Sequence, residues 1–369
     1  MTATDPSRAA ADIRVPAERL GAQVAAIFER WGMPREQIDV TVKMMLESDL
    51  RGIDSHGVYM LPLYDEFRRD GKLTLAPNVR VVRESPVTAL VDGDGGLGHY
   101  PSHLAMQLAI DRCAKSGVGV VTVRNSNHYG AAGVYALMAA ERGFVGVSTS
   151  SVFRPGVVPT FGARPMLGTN PIALAAPAKR NPPFCLDMAT STVAVGKLKL
   201  ALLHGKDIPA GWATDDRGRP VTDPETGLKY RYLTPLGGTP VMSSHKGYGL
   251  GAVVEVLSTM LPGAFYAPTR SHRHPDAERY NVGHFFMALD PGAFRDEGEF
   301  EDDLDDMIDA LHGMERADPR QPVLVAGDPE QAAYADRTAN GIPLPAALDR
   351  ILRDLAAGCG AEYLLGEAA

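Results

Sequence analysis

At 369 residues the chain exceeds one ordinary hydrophobic core, so two domains or one elaborated α/β unit are expected. A net charge of −8 without a basic stripe argues against nucleic acid as a partner, and no apolar run reaches the ~18 residues of a membrane span. Cys113, Cys185 and Cys359 are too scattered for a disulfide framework, and the first six residues lack the apolar core of a signal peptide, so a cytoplasmic protein is expected.

Leu20, Val24, Ile27, Phe28 and Trp31 recur at helical spacing through residues 16–32, which predicts an amphipathic helix. Pro34 suits the first turn of a second helix, with an apolar face of Ile38, Val42, Met45 and Leu46, that runs out near Gly52. There the chain reads Ser48-Asp-Leu-Arg-Gly-Ile-Asp-Ser-His-Gly57, with His56 between Ser55 and Gly57. Glycine at 57 lets the backbone approach something closely; the alternative is an ordinary surface-loop histidine. Residues 79–82 and 87–91 are strand-like.

Gly93, Gly95 and Gly98 spell GxGxxG after a strand and before a helix over 102–115, with a second strand following, which is the context of the dinucleotide fingerprint. Yet no acidic residue ends the second strand to hold a ribose, and His99-Tyr-Pro101 interrupts the helix start that should receive a pyrophosphate. The motif therefore reads as a tight turn. His99 and His103 have a metal-like spacing, but no Glu follows His99 and no third ligand is apparent, so no metal is expected. The buried strand from Val118 leads into Asn125-Ser-Asn-His-Tyr-Gly130 and a helix-compatible run from Ala131 to Ala140. His128 thus stands where a strand hands over to a helix, an edge at which α/β sheets bind ligands. Asn125, Ser126 and Asn127 can fix its tautomer; the alternative is a turn histidine that caps the next helix.

Residues 144–149 read as a strand, and Phe184–Leu186 as the end of another, leaving Asp187 beside the core as a functional carboxylate or a simple turn residue. Thr190 or Ser191 could cap a helix over 193–203. Residues 205–235 read as an irregular excursion. Leu236-Gly-Gly238 and Ser243–Gly251 then lead into an apolar helix over 252–261. Lys246 brings a positive charge to that helix start, against the dipole, which points to an anionic partner or else to a snorkelling surface lysine. His272 and His274 form a weak metal-like pair in a loop. Residues 281–289 are a buried strand carrying His284 at its start, 296–306 an acidic, solvated helix face, 323–326 a strand, and 344–355 a closing amphipathic helix.

The stretches Leu50-Arg-Gly-Ile-Asp-Ser-His-Gly57, Asp92-Gly-Asp-Gly-Gly-Leu-Gly98, Asn125-Ser-Asn-His-Tyr-Gly130, Gly168-Thr-Asn-Pro171, Asp187-Met-Ala-Thr-Ser191, Leu236-Gly-Gly238 and Lys246-Gly-Tyr-Gly-Leu250 together resemble, in order, the malate/L-lactate dehydrogenase family. That family is of the non-Rossmann type and also contains ureidoglycolate, sulfolactate and diketogulonate oxidoreductases and a cyclic imino-acid reductase. The resemblance implies an α/β (α+β) chain: a non-Rossmann NAD(P)-binding fold with a mixed sheet over residues 121–289, and a discontinuous helical, substrate-side domain from 1–120 and 290–369. It implies NAD or NADP as cofactor, held by Asp187, Met188, Ala189, Ser191, Leu236, Gly237, Gly238, Lys246, Gly247, Gly283 and His284. It makes His128 the acid/base, gives His56 and Asp187 a share in catalysis, and puts Ser55, Met60, Tyr64 and Asn170 at the substrate pocket. Members are dimers with the active site close to the subunit boundary, so a homodimer acting on a small-molecule substrate is expected.

One departure matters. Many members carry Arg four residues after the Ser-His-Gly histidine, where this chain has Met60. A bidentate carboxylate anchor is lost, and a thioether cannot replace it. Either another cation serves, with Arg51 and Arg154 as candidates, or the substrate is bulkier and more apolar near Met60. The chemistry implied is hydride exchange between nicotinamide and a 2-hydroxy acid or 2-oxo acid, with histidine moving one proton. Reduction of a cyclic imino acid uses the same apparatus; from a different class comes a metal-dependent hydrolase or lyase on His99/His103 or His272/His274.

Overall fold

The computed structural model describes residues 13–366. The first six residues, on which the signal-peptide expectation rests, lie outside them. Contacts divide the chain into two compact units, one built from both chain ends (up to Ala76, and from Gly327 onward) and one from Pro77–Ala326. The boundaries expected at 120/121 and 289/290 both lie inside the second unit, the first of them within a strand of its main sheet.

In the first unit the predicted periodicities form the helices Ala17–Trp31 and Arg35–Leu50. Leu20, Val24, Ile27 and Phe28 are buried, each such side chain contributing about 1.5–3 kcal/mol. Gly21 brings the two helices together, since a methyl group there would lie 2.8 Å from Leu46 Cδ1. Two helices were not predicted. Leu61–Arg69 starts on Pro62, which the first turn tolerates, and Asp328–Asn340 buries no residue and so shows no apolar stripe. Ile13–Val15 pairs antiparallel with Ile342–Leu344, and the closing helix is Ala346–Cys359.

The second unit is organised by a seven-stranded sheet in the spatial order Arg80–Glu84, Thr88–Asp92, Val118–Ser126, Val282–Leu289, Val145–Ser150, Ile172–Ala176, Phe184–Met188. Only Thr88–Asp92 and Val118–Ser126 run parallel; every other neighbouring pair in this sheet is antiparallel. This is a mixed sheet and not the doubly wound parallel arrangement of a Rossmann fold. The helices His99–Ser116 and Gly133–Ala140 pack so closely on it that a methyl at Gly119 would lie 2.0 Å from Ala109 O, and one at Gly146 2.3 Å from Ala136 O.

Several local expectations change. The helix expected from Ser102 begins at His99, because Pro101 falls in the first turn, where a missing N–H costs little. Residues 205–235 are a folded layer, with a three-stranded antiparallel sheet and a core of Val157, Leu167, Leu198, Ile208, Ala213 and Leu233. The apolar helix starts earlier, at His245–Glu255, and passes into a π-helical turn over Val256–Met260. Residues 323–326 form no strand; Ala326 only accepts a backbone bond from Cys185 N.

Candidate active site

His56 ends a 3-10 turn, Asp54–His56, in the first unit. Its Nδ1 lies 2.8 Å from Ser55 Oγ, and burial lowers its pKa from the ordinary 6.5. Met60 is half-buried at the end of the next 3-10 turn, Val58–Met60. Tyr64 is fully buried in the helix Leu61–Arg69, and that burial pushes its phenol up. Beneath the loop lies Asp49, 4% exposed, whose Oδ2 accepts the Val58 N–H at 2.9 Å. Arg51, a candidate carboxylate anchor, is instead engaged with Glu47 (3.4 Å) and lies over the Tyr334 ring (4.7 Å).

His128 lies in the second unit, two residues beyond the strand Val118–Ser126 and five before the helix Gly133–Ala140. Its Nδ1 accepts the Gly130 N–H at 3.3 Å. The surrounding turn is moulded by the glycine loop. Gly93 N donates to Arg124 O, Gly95 N to Asn125 O and Gly98 N to His128 O, at 2.7–2.9 Å. Asn127 Nδ2 returns the grip on Gly95 O and Gly96 O. Asp92, at the end of its strand, accepts from Asp94 N and Asn125 Nδ2. The loop thus has the strand–glycine–helix–strand context of a dinucleotide fingerprint, yet its donors are spent on the His128 turn and none of these three is left for a pyrophosphate.

Asp187 is half-buried in the strand Phe184–Met188, and its Oδ2 accepts the N–H of Gly133 at 2.7 Å. It therefore anchors the first residue of the helix that follows His128. Its charge adds to the burial that pushes the Tyr129 phenol up. Tyr129 stacks on Tyr135 and on His284, the latter at 4.5 Å with the ring planes nearly parallel.

The remaining expected residues fall in two groups. Asn170, Thr190–Ser191, Leu236–Gly238 and Gly247 come together. Thr190 Oγ1 donates to Thr169 O and Asn170 O, Leu236 N donates to Thr190 O, and a methyl at Gly247 would sit 2.4 Å from Leu236 N. Asn170 is buried and donates to Glu255 Oε1 at 2.8 Å, Thr259 Oγ1 holds the other carboxyl oxygen, and burial raises the Glu255 pKa. Neither Thr190 nor Ser191 caps the next helix: it starts at Val195 without a side-chain cap, and Ser191 Oγ donates to Val193 O. Met188 ends the strand Phe184–Met188, and Ala189 joins it to Thr190. Lys246 is exposed in the first turn of His245–Glu255.

Gly283 and His284 form the second group, inside the sheet. A methyl at Gly283 would meet Ser258 O at 1.9 Å. His284 is fully buried between Ser150 Oγ (2.8 Å from Nδ1) and Ser126 Oγ (2.9 Å from Nε2), and burial holds its pKa down to about 3. A neutral ring with both nitrogens engaged offers a ligand no free polar atom.

Sequence reasoning missed Asp49, Glu255 and Ser150, and it assigned to His128 the Ser126 hydroxyl that lies against His284. Asp49 left a signal: it continues the buried face of its helix at i+4 from Met45, and a carboxylate on a buried stripe needs a reason.

A family model described as malate/L-lactate dehydrogenase matches residues 15–353. The chain is 40% identical over 353 residues to the malate dehydrogenase of Pyrococcus horikoshii, covering 95% of this chain and 97% of that one. A solved structure of the malate dehydrogenase from that organism has a TM-score of 0.84, covering 98% and 99% of the two chains at 37% identity. The L-sulfolactate dehydrogenase of Methanocaldococcus jannaschii is 35% identical over 305 residues, 83% of this chain and 86% of that one. The (2R)-3-sulfolactate dehydrogenase (NADP(+)) of Chromohalobacter salexigens is 34% identical over 272 residues, 73% and 79% of the two chains. The solved structure of the delta1-piperideine-2-carboxylate reductase of Pseudomonas syringae pvar. tomato has a TM-score of 0.79 at 28% identity, covering 93% and 100%.

Proposed function

Because the chain belongs to the malate/L-lactate dehydrogenase family, we propose that it is an NAD(P)-dependent oxidoreductase of 2-hydroxy acids in which His128 moves the proton. The observation that carries this reading is the way both expected histidines are held: each sits on a loop pinned by buried groups, with its Nδ1 engaged.

Gly130 donates to Nδ1 of His128, so the neutral ring carries its proton on Nε2. That form donates a hydrogen bond to the carbonyl oxygen of a 2-oxo acid. Giving the oxygen its proton needs the doubly protonated ring, and taking one from the alcohol in the other direction needs a bare Nε2, so either way the long 3.3 Å contact must give way as the ring changes form. Burial keeps His56 neutral below the pH at which exposed histidines charge, the form in which an imidazole can polarise a substrate oxygen. Asp187 keeps the His128 turn in place through Gly133.

A bound nicotinamide supplies the hydride. The residues present suit the rest of such a cofactor. A cavity of about 250 Å³ beside Gly238 is lined by Thr160, Thr234, Thr239, Ser244 and Arg217 among others. Lys246 is exposed in the first turn of its helix, where N–H groups favour phosphate. The relative named for NADP(+) supports a nicotinamide cofactor, NAD or NADP. With Arg51 engaged elsewhere, Arg154 is the better candidate for the substrate carboxylate; it is exposed, and its guanidinium lies 6.0 Å from the Phe153 ring centre.

The piperideine-carboxylate reductase among the structural neighbours supports a second reading, reduction of a cyclic C=N bond. Among the described residues no three His, Cys, Asp or Glu side chains gather into a group that could hold a metal ion.

We also infer a homodimer, supported by an exposed apolar stripe of Leu250, Val253, Val256, Met260 and Leu261. Light scattering should give twice the chain mass, and charged substitutions at Val253 and Val256 should give the monomer. No helix among the described residues is long and apolar enough to cross a membrane. Cys113, Cys185 and Cys359 form no disulfide, which suits the cytoplasm.

The test is a panel of 2-oxo acids and cyclic imino acids with NADH and NADPH, followed by nicotinamide absorbance. With the best substrate, His128→Asn should lower turnover by at least ~10²-fold, with cofactor binding unchanged. Near-normal turnover would rule His128 out.

A further inference from the structure

The motif around His56 contains a carboxyl that the reading above does not use. We propose that Asp49 is a positioning residue for His56, and that Arg337 is the second half of the same clamp. The kinetic consequence rests on the dehydrogenase reading; the structural one does not.

Asp49 lies in the last turn of the helix Arg35–Leu50 and points into the unit, 4% exposed. Oδ2 accepts the Val58 N–H at 2.9 Å. Gly57 lies directly on the carboxyl, so that a methyl group there would be 1.9 Å from Oδ1 and 2.2 Å from Cγ. No side chain but hydrogen fits. The two residues that follow His56 are therefore seated on one carboxyl group.

Asp54, two residues before it, is held from the other direction. Arg337, from the helix Asp328–Asn340, donates to both carboxylate oxygens of Asp54. The same guanidinium donates to the backbone carbonyl of Asp49 at 2.5 Å, which ties the helix end to the loop. His56 is thus the midpoint of a five-residue loop fixed at Asp54 and at Val58.

A carboxyl in this place is costly, because burial disfavours its charge. Burial, more than the Val58 bond offsets, pushes its pKa up to about 8. A loop with no positional task would be cheaper with an apolar residue there. The neutral acid still accepts from Val58, so the clamp depends on the oxygen and not on the charge.

The experiment compares Asp49→Ala, Asp49→Asn and Gly57→Ala in the full-length protein, with L-malate or 3-sulfolactate as the substrate, whichever the wild type oxidises. Asp49→Ala and Gly57→Ala should lower kcat by roughly 10- to 100-fold, as misplacement of a reacting group does, with NADPH binding unchanged. Asp49→Asn keeps an oxygen for Val58 N–H and should restore most of the turnover. Imidazole NMR of the cofactor-free protein should show the His56 signals moving towards those of an exposed histidine in the first and third variants only. Native turnover and native His56 signals in folded Asp49→Ala would overturn the proposal; so would an Asp49→Asn as impaired as Asp49→Ala. Should Asp49→Ala not fold, Gly57→Ala and Arg337→Lys decide by the same readouts. If the wild type oxidises no hydroxy acid, the dehydrogenase reading fails while the NMR comparison still tests the clamp.

Discussion

Around His56 the backbone is gripped by side chains, the Asp49 carboxyl on one flank and the Arg337 guanidinium on the other. Around His128 it is gripped mainly by other backbone, with Gly93, Gly95 and Gly98 donating to the carbonyls of residues 124, 125 and 128. The two arrangements fail differently. A side-chain clamp can be removed by one substitution and can titrate. A backbone clamp has no group to delete and no pKa, and its weak point is space. Each has a glycine where chain meets chain, but Gly57 is pressed against a carboxyl and Gly98 against a peptide backbone.

The largest effect should therefore come from filling the space at Gly98. A methyl there would lie 2.5 Å from Asn127 O and 2.9 Å from His128 O, and neither is a flexible side-chain end. Gly98→Ala should displace the whole turn, costing about 1–3 kcal/mol of stability from overpacking and roughly 10²-fold in kcat. Denaturant unfolding and steady-state kinetics check both numbers. A Gly98→Ala protein with wild-type turnover would mean that the glycine loop does not position His128, and the contrast between the two clamps would collapse.

This contrast also explains what could be read from the chain in advance. The long amphipathic helices near both ends and the run of β-branched residues at 118–123 were legible because each satisfies one period. The strand-to-helix position of His128 was legible for the same reason. The GxGxxG was legible as glycines but ambiguous as a function: the pattern fixes that backbones approach closely, not which backbone does so. The helix Asp328–Asn340 was invisible because it buries no stripe, and the small sheet at 213–233 because two-residue strands carry no period. His284 stood at the start of a strand with the look of a ligand contact. Its two serine partners come from other strands, 134 and 158 residues away, which no local reading connects.

A smaller effect separates the clamps by pH. Asp49 has an ordinary value of 3.8 and is held up to about 8 in the folded chain. Between those values the folded state binds the proton more tightly than the unfolded state does. Stability should therefore decline as pH rises from the usual carboxylate range to about 8, and the contribution is gone above it. Asp49→Asn should flatten that decline in a series of thermal melts. His284 runs the other way. Burial holds it down from 6.5 to about 3, so the unfolded chain takes up the proton first and stability rises with pH across that window. Asp49→Asn should leave this acid limb untouched, and the His128 turn adds no limb through its backbone bonds. Between 3.8 and 6.5 the two contributions oppose each other, so the net decline falls between 6.5 and about 8, and one there that survives Asp49→Asn would assign it to another carboxyl.

The smallest effect is expected at Ser55, whose side chain is bonded directly to the His56 ring. The bond is 2.8 Å long but solvent-exposed, and one hydrogen bond of this kind is worth about 0.5–1.5 kcal/mol, a roughly 2- to 10-fold change in rate. Ser55→Ala should lower kcat within that range. Since burial, and not Ser55, lowers the His56 pKa, the acid limb of the rate profile that reports the neutral ring should stay below 6.5 and not move. The seat under the loop, Asp49 against Gly57 and Val58, is intact in this variant. A loss as large as that from Asp49→Ala, or a limb that shifts, would mean that Ser55 passes a proton and does not merely orient the ring. The side-chain grip on His56 would then be part of the chemistry, and the backbone grip on His128 would have no counterpart to it.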